Sequence, residues 1–358
     1  MKRIKLYFDR KRGEAYYLGE NVLVLSRINS SCYQRGAERY MGRGAGIIVY
    51  NASKNIAKKR FYELVKGLKG KPDEVMRNIL EHLSMCGYGL FEIRGFGEET
   101  LVEVRNSFNA IKYKSEMPKC YMMAGTLAGI MELITGKECL CMEEECAAKG
   151  DRVCTFRITP VPSGAKAEPV KEWWRGEKPP ERATELFLDY DEVKGEVFFM
   201  GLTSSMVLSR YERVELQKEL EKIMGPAYKT IMYESVGRDG TKETVNMIQK
   251  FFVRVLRMFS KRRIVESLLK NYSQRGGGMA ELVYIDEKNS TGRIIVRNSN
   301  FARGYKKSDK PVCHILAGMF AAGGDVVFGR RMECRETKCV AKGDDHCEFE
   351  LFPEKSAA

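Results

Sequence analysis

The sequence lacks most of the signatures that would make it a membrane protein, a nucleotide enzyme or a DNA-binding protein. No run of about 18 apolar residues occurs, so no membrane-spanning helix is expected. Met1-Lys2-Arg3 leads into an alternating strand pattern rather than an apolar leader, and the expectation is a soluble, unexported, cytoplasmic protein. No Cys-x-x-Cys pair is present, which disfavours a dithiol redox site. No Gly-x-Gly-x-x-Gly follows a strand pattern, which removes the usual nicotinamide or flavin fingerprint. Arg275-Gly276-Gly277-Gly278 has no Lys-Ser or Lys-Thr after it and precedes a strand, so it reads as a flexible helix-to-strand connection rather than a phosphate loop.

Basic tails, helix-turn-helix patterns and aromatic-interleaved basic motifs are also missing. The net charge of +13 therefore admits nucleic acid or an anionic membrane as a partner without favouring either. Lys58-Lys59-Arg60, with Lys66, Lys69 and Lys71, is spaced as on one long amphipathic helix and reads as its solvated face. Lys261-Arg262-Arg263 reads the same way.

What the chain does have is cysteine, eleven of them, arranged twice over. Cys120, Cys141, Cys146 and Cys154 recur 193 residues later as Cys313, Cys334, Cys339 and Cys347. A duplicated, ungapped spacing of this kind in a reducing compartment points to a metal cage or an inherited fold element. The repeat extends upstream: Leu25-Ser26-Arg27 corresponds to Leu208-Ser209-Arg210, Tyr50 to Tyr233, and Val104-Arg105-Asn106-Ser107 to Val296-Arg297-Asn298-Ser299. Each copy is thus a whole domain, 1–160 and 184–358, joined by a Pro- and Gly-bearing linker at 161–183. Trp173-Trp174 is expected to pin that linker to the domains. With 44% hydrophobic and 30% charged residues, the chain can bury two cores.

Within the first copy, alternation predicts strands at Ile4 to Asp9, Ala15 to Leu18 and Val22 to Leu25. Helical periodicity covers Ile28 to Leu68, broken near Gly42 to Gly46, and returns at Asp73 to Met85 behind Pro72. Strands follow at Leu90 to Arg94 and Leu101 to Arg105, then a helix from Lys119 to Leu133. A closing hairpin of Cys139 to Glu143 and Val153 to Ile158 turns over Lys149-Gly150-Asp151. Two groups of strands with helices between them define an α+β fold, a mainly antiparallel sheet with packed helices in each copy.

The first cysteine of each set falls at a helix N-terminus, which favours the thiolate that zinc requires. Zinc prefers four tetrahedral sulfur or nitrogen ligands, so Cys120, Cys146 and Cys154 need one more, as do Cys313, Cys339 and Cys347. A ligand needed in both copies must appear in both. Glu138 is matched by Arg331, Glu144 by Thr337 and Glu145 by Lys338, while His314 is matched by Tyr121 and His346 by Val153. That leaves Glu143 with Glu336, or Cys141 with Cys334; two residues apart in a strand, both point to one face and periodicity does not choose.

The pattern Cys-x25-Cys-x7-Cys, with Glu three residues before the second cysteine, Gly in the turn and Phe156 or Phe349 after the last cysteine, resembles the 4-vinyl reductase domain. This domain is found in phenol-responsive bacterial activators and archaeal hydrocarbon-binding proteins, and its fold is similar to that of TRAPP vesicle-tethering subunits. The resemblance implies a zinc site of three cysteines and one glutamate bracing a hydrophobic pocket. Its ligands would be Cys120, Glu143, Cys146 and Cys154, and Cys313, Glu336, Cys339 and Cys347. The additional Cys141 and Cys334 depart from the family pattern and remain alternative fourth ligands.

The functional expectation is a cytosolic binding or sensor protein for an apolar, aromatic, hydrocarbon or lipid-like molecule, without catalytic residues and more a binder than an enzyme. A protein partner or homodimer is compatible with it. The alternatives are an enzyme or substrate carrier in tetrapyrrole metabolism, and an adaptor that meets nucleic acid, an anionic membrane or a protein through its basic face.

Overall fold

A computed structural model describes residues 1–171, 176–246 and 260–354. The Trp173-Trp174 pair lies outside the described residues. The first copy opens with β1 (Lys2–Asp9), β2 (Glu14–Tyr17) and β3 (Glu20–Ser26), and the second with β8 (Thr184–Asp191), β9 (Glu196–Phe199) and β10 (Thr203–Ser209). These two meanders close one barrel in the order β1-β2-β3-β10-β9-β8. Its seams are antiparallel pairings between copies, β1 with β8 and β3 with β10. Closure removes the free edges that each three-stranded meander would expose alone. It also explains why Val22-Leu23-Val24-Leu25 is apolar without alternation: all four side chains are buried.

The copies are related as in an isologous dimer. Arg27 at the start of α1 (Arg27–Met41) pairs with Glu196 of the second copy at 3.2 Å. Arg210, at the start of α5 (Arg210–Met224), pairs with Glu14 of the first at 3.5 Å. One hydrophobic cluster runs through both copies, with Ile4, Leu23, Leu188 and Leu208 among its members.

After α1 a 3-10 turn at Gly42–Gly44 leads into α2 (Ala45–Gly67), then α3 (Pro72–Met85). Next come β4 (Leu90–Gly95), β5 (Thr100–Arg105), α4 (Tyr121–Thr135), β6 (Cys139–Glu145) and β7 (Cys154–Pro160). In the second copy a helical run over 228–246 (α6) follows α5. Then come α7 (Lys261–Gln274), β11 (Met279–Asp286), β12 (Thr291–Arg297), α8 (Asn300–Tyr305), α9 (His314–Phe328), β13 (Met332–Lys338) and β14 (Cys347–Pro353). Each copy carries a four-stranded antiparallel sheet, in the orders β4-β5-β7-β6 and β11-β12-β14-β13. Among the described residues no helix is long and apolar enough to cross a membrane.

The strand and helix positions read from the first copy agree with these elements to within a few residues. Three readings do not hold. Lys58 and Arg60 are buried rather than solvated, because Lys58 bonds Glu132 at 2.8 Å and Arg60 bonds Glu212 at 2.9 Å. The closing hairpin does not turn tightly: a 3-10 turn at Ala147–Lys149 joins its strands, and a bulge between Glu143 and Glu145 precedes it. Gly276, Gly277 and Gly278 form a close-packed connection, where an added Cβ would meet the Val22 carbonyl, the Tyr272 ring and the Arg297 carbonyl respectively.

The two copies differ by one residue inside the helix that follows the turn. α6 is π-helical over Ile231–Asp239, whereas α2 is α-helical throughout. A π-turn absorbs a single inserted residue. Tyr50 matches Tyr233 before it, and Lys58 matches Lys242 after it. Lys242 reaches Asp325 at 2.7 Å just as Lys58 reaches Glu132. The two acids hold the same place, accepting from the Cys139 and Met332 N–H groups.

Candidate functional site

The duplicated cysteines converge where the last helix of each copy meets its closing strands. Cys120 is the N-cap residue of α4 and Cys313 that of α9, so each thiol lies at the positive end of a helix. In the first copy the Cys120 sulfur is 3.9 Å from that of Cys146 and 3.7 Å from that of Cys154. In the second, Cys313 and Cys347 are 3.8 Å apart. Each triad is completed by a carboxylate: one ligand atom each from Cys120, Glu143, Cys146 and Cys154 lies within 4.8 Å of the others, and likewise for Cys313, Glu336, Cys339 and Cys347. The bulge before the turn has its extra residue at Glu144 or Thr337, directly after each glutamate, in both copies.

Cys141 and Cys334 are not among the gathered atoms. They are buried, and their backbone N–H groups donate to Tyr50 Oη at 3.0 Å and Tyr233 Oη at 2.9 Å. The repeated tyrosine therefore fastens the strand that carries the glutamate to the helix behind it.

One oxygen of each glutamate is already engaged. Oε2 of Glu143 accepts from the Cys120 N–H at 2.6 Å, and Oε2 of Glu336 from the Cys313 N–H at 2.8 Å. The other oxygen, Oε1 in both, is buried with no hydrogen-bond partner. Burial pushes both carboxyls up to about 8. Burial likewise raises the Cys120 and Cys313 thiols. Cys146 is drawn well down by hydrogen bonds from Cys120 and Cys154, and Cys339 by those from Cys313 and Cys347, so each triad concentrates negative charge on its middle cysteine.

The surrounding shell is duplicated as well. Asp151 Oδ2 accepts from the Cys146 N–H at 2.8 Å and Asp344 Oδ2 from the Cys339 N–H at 2.7 Å. The N–H groups of Ala147 and Val340 donate to the sulfurs of Cys154 and Cys347 at 3.3 and 3.4 Å. Ser107 and Ser299 set their hydroxyls 3.7 and 3.4 Å from Cys120 and Cys313. Sequence reasoning assigned no role to these serines and aspartates, although all four stand within the matched segments. His314 instead faces Tyr228 Oη at 3.2 Å and His346 faces Asp345 and Glu348.

A second feature occurs in one copy. A cavity of about 280 Å³ opens between α7, α9 and the barrel strands β3 and β10. Ile264, Leu268, Leu269, Met319 and Phe320 give it apolar walls, while Asn29, Thr203, Thr244 and Arg275 stand among its lining.

A barrel shared by two α+β copies, with three thiols and a carboxylate gathered in each, defines a duplicated protein with two candidate metal centres. It is a tandem 4-vinyl reductase domain protein: the model of that domain matches residues 100–160 and again 293–353, spans that contain the glutamate and the last two cysteines of each set. An uncharacterized protein of Methanocaldococcus jannaschii is 23% identical over 125 residues, 35% of this chain and 65% of that protein's length, so the match spans less than two thirds of this relative. Among solved structures, the phenol-responsive sensory domain of the transcription activator PoxR with phenol is 18% identical, with 46% of this chain and 84% of that one covered and a TM-score of 0.40. A vinyl-4-reductase family protein of Methanocaldococcus jannaschii gives 21% identity, 32% and 68% coverage and a TM-score of 0.26. A trafficking protein particle complex subunit 3 of Naegleria fowleri, covalently bound to palmitic acid, gives 15%, 41% and 95%, and 0.31.

Proposed function

We propose that this chain is a binding or sensor protein for an apolar small molecule, taken up by the second copy, with a structural zinc ion in each copy. The observation that carries the ligand reading is the cavity, large enough for a small molecule and walled by aliphatic and aromatic side chains with a few polar groups, as ligand sites are. In this reading residues 1–160 and 184–358 are the two domains and 161–183 their linker.

The zinc reading rests on donor chemistry. Tetrahedral zinc with Zn–S bonds of about 2.3 Å sets its sulfurs about 3.8 Å apart, close to the spacing between the thiols. The buried, unpartnered Oε1 of Glu143 and of Glu336 is a fourth donor in need of a cation. Cys120, Glu143, Cys146 and Cys154 would hold one ion, and Cys313, Glu336, Cys339 and Cys347 the other. Bound there, zinc would tie a helix N-terminus to the closing strands, and four protein ligands leave no open position for catalysis.

The test is a thermal-shift screen of aromatics, fatty acids and tetrapyrroles on purified protein, with product analysis on every hit. A binder raises the melting temperature with ligand concentration and returns the ligand unchanged. Reduction of a vinyl group in the presence of nicotinamide or flavin would favour the enzyme. Absence of any apolar hit, with salt-sensitive binding to nucleic acid, would favour the adaptor.

A further inference from the structure

The two copies place a guanidinium at corresponding points of their interiors and balance its charge differently. In the first copy Arg60 of α2 bonds Glu212 at 2.9 Å and stands 3.7 Å from Glu20. Glu212 also accepts from Tyr88 Oη. Cys86 caps α3 nearby, 3.6 Å from His82.

The pseudo-twofold carries each of these positions to the second copy. Glu20 opens β3 and Thr203 opens β10; Glu212 on α5 corresponds to Asn29 on α1. Arg60 becomes Thr244 once the π-turn is counted, and Thr244 meets Asn29 at 3.3 Å as Arg60 meets Glu212. Cys86 becomes Arg275, the C-cap of α7, and His82 becomes Asn271. Both carboxylates are thus replaced by neutral residues while a cation is kept.

Arg275 has only neutral acceptors. Its Nε donates to Asn271 Oδ1 at 2.8 Å, one terminal nitrogen to Thr203 Oγ1 at 3.2 Å, and the other lies 3.4 Å from Ser205 Oγ and 3.5 Å from the Val24 carbonyl. Its guanidinium stacks over Phe199 at 4.2 Å. Among the described residues no carboxylate pairs with it, and the segment 247–259 contains no Asp or Glu in its sequence. Burial draws its pKa down to about 10, with no neighbouring charge opposing the shift. A guanidinium in such surroundings matches a carboxylate in charge and planar geometry.

We infer that the second-copy cavity takes a carboxylic acid with an apolar body, its carboxylate on Arg275 and its hydrocarbon or aromatic part among Leu268, Leu269 and Phe320. The inference rests on the small-molecule reading above and narrows it to one ligand class. Asn29 and Thr203, in place of Glu212 and Glu20, are what keep this cavity from repelling an anion.

The experiment is calorimetric titration of full-length, metal-replete protein with matched pairs: octanoate and 1-octanol, 4-phenylbutyrate and 4-phenylbutanol. The expected result is that at least one acid binds about tenfold or more tighter than its alcohol, and that Arg275→Gln abolishes the preference while Arg275→Lys retains part of it. Circular dichroism and metal content unchanged in Arg275→Gln exclude misfolding as the cause; if that variant does not fold, Thr203→Glu, which restores a first-copy carboxylate, should weaken the acid and spare the alcohol. Equal binding of acid and alcohol would overturn the carboxylate assignment and leave the apolar-ligand reading standing. No binding of any of the four, with a neutral ligand found in the wider screen, overturns the assignment alone; no binding by any compound overturns both.

Discussion

The metal-ligand sets of the two copies are reproduced group for group, whereas their interiors have diverged. Around each thiol triad the glutamate, the aspartate on the second cysteine's N–H, the serine on the first sulfur and the tyrosine behind the strand all recur. Away from it, the first copy closes around the Arg60, Glu212 and Glu20 cluster, and the second keeps a 280 Å³ cavity with Arg275 at its wall. A duplicated domain can thus hold its scaffold fixed while one copy serves packing and the other is free to bind.

The largest expected effect lies in the part that is alike. Cys146→Ser or Cys339→Ser should each remove one of two zinc ions and cost several kcal/mol, because zinc binding adds directly to folding free energy. Since both copies share one barrel and one core, either variant should lower a single cooperative melting transition of the whole chain, readable by calorimetry. An unchanged melting temperature in both would break the likeness. Glu143→Gln and Glu336→Gln should lose metal by elemental analysis, while Cys141→Ser and Cys334→Ser retain it; the reverse pattern would move the fourth ligand to the cysteine.

The next effect separates the interiors. Arg60→Met strands two partly buried carboxylates and should cost about 3–5 kcal/mol in urea unfolding. Arg275→Met strands none and should change stability by about 1 kcal/mol or less. Equal costs would mean that the two guanidinium groups are balanced alike.

A smaller, pH-dependent difference comes from His82, which stacks on Tyr17 and is held down to about 3, first by burial and then by Arg60. The unfolded chain takes up this proton near its ordinary pKa of about 6.5, and the fold refuses it until about pH 3. Stability contributed by the neutral imidazole is therefore complete above about 6.5 and falls as pH is lowered toward about 3, by about 2 kcal/mol between about pH 7 and about pH 5. The second copy has Asn271 at this position, so His82→Asn should flatten that part of the stability profile. Unfolding midpoints at the two pH values are the check.

How much of this was legible in the sequence follows from what repeats and what does not. The cysteines, Glu143 and Glu336 were visible because a spacing held twice makes the chain its own alignment, and the α+β elements followed from local periodicity. The shared barrel was not legible: alternation marks β1 and β8 as strands but carries no information about which edge pairs with which. Lys58 and Arg60 were misread because a charge run gives no sign of the carboxylates that Glu132 and Glu212 bring from elsewhere in the fold. Arg275 was passed over for the opposite reason, since its significance lies in the acids that Asn29 and Thr203 replace, and that appears only once the pseudo-twofold is known. The matched serines and aspartates could have been found from the repeat alone, had each repeated polar pair been asked what it bonds to.

The central claim, two metal centres on one scaffold with a single ligand cavity, is met most directly by native mass spectrometry of untagged protein before and after gentle denaturation, following incubation with the tightest apolar ligand found. The expected result is a chain mass carrying two zinc ions and one ligand molecule, with zinc and ligand both released on denaturation. A chain carrying no stoichiometric metal, or a ligand in each copy, would contradict it.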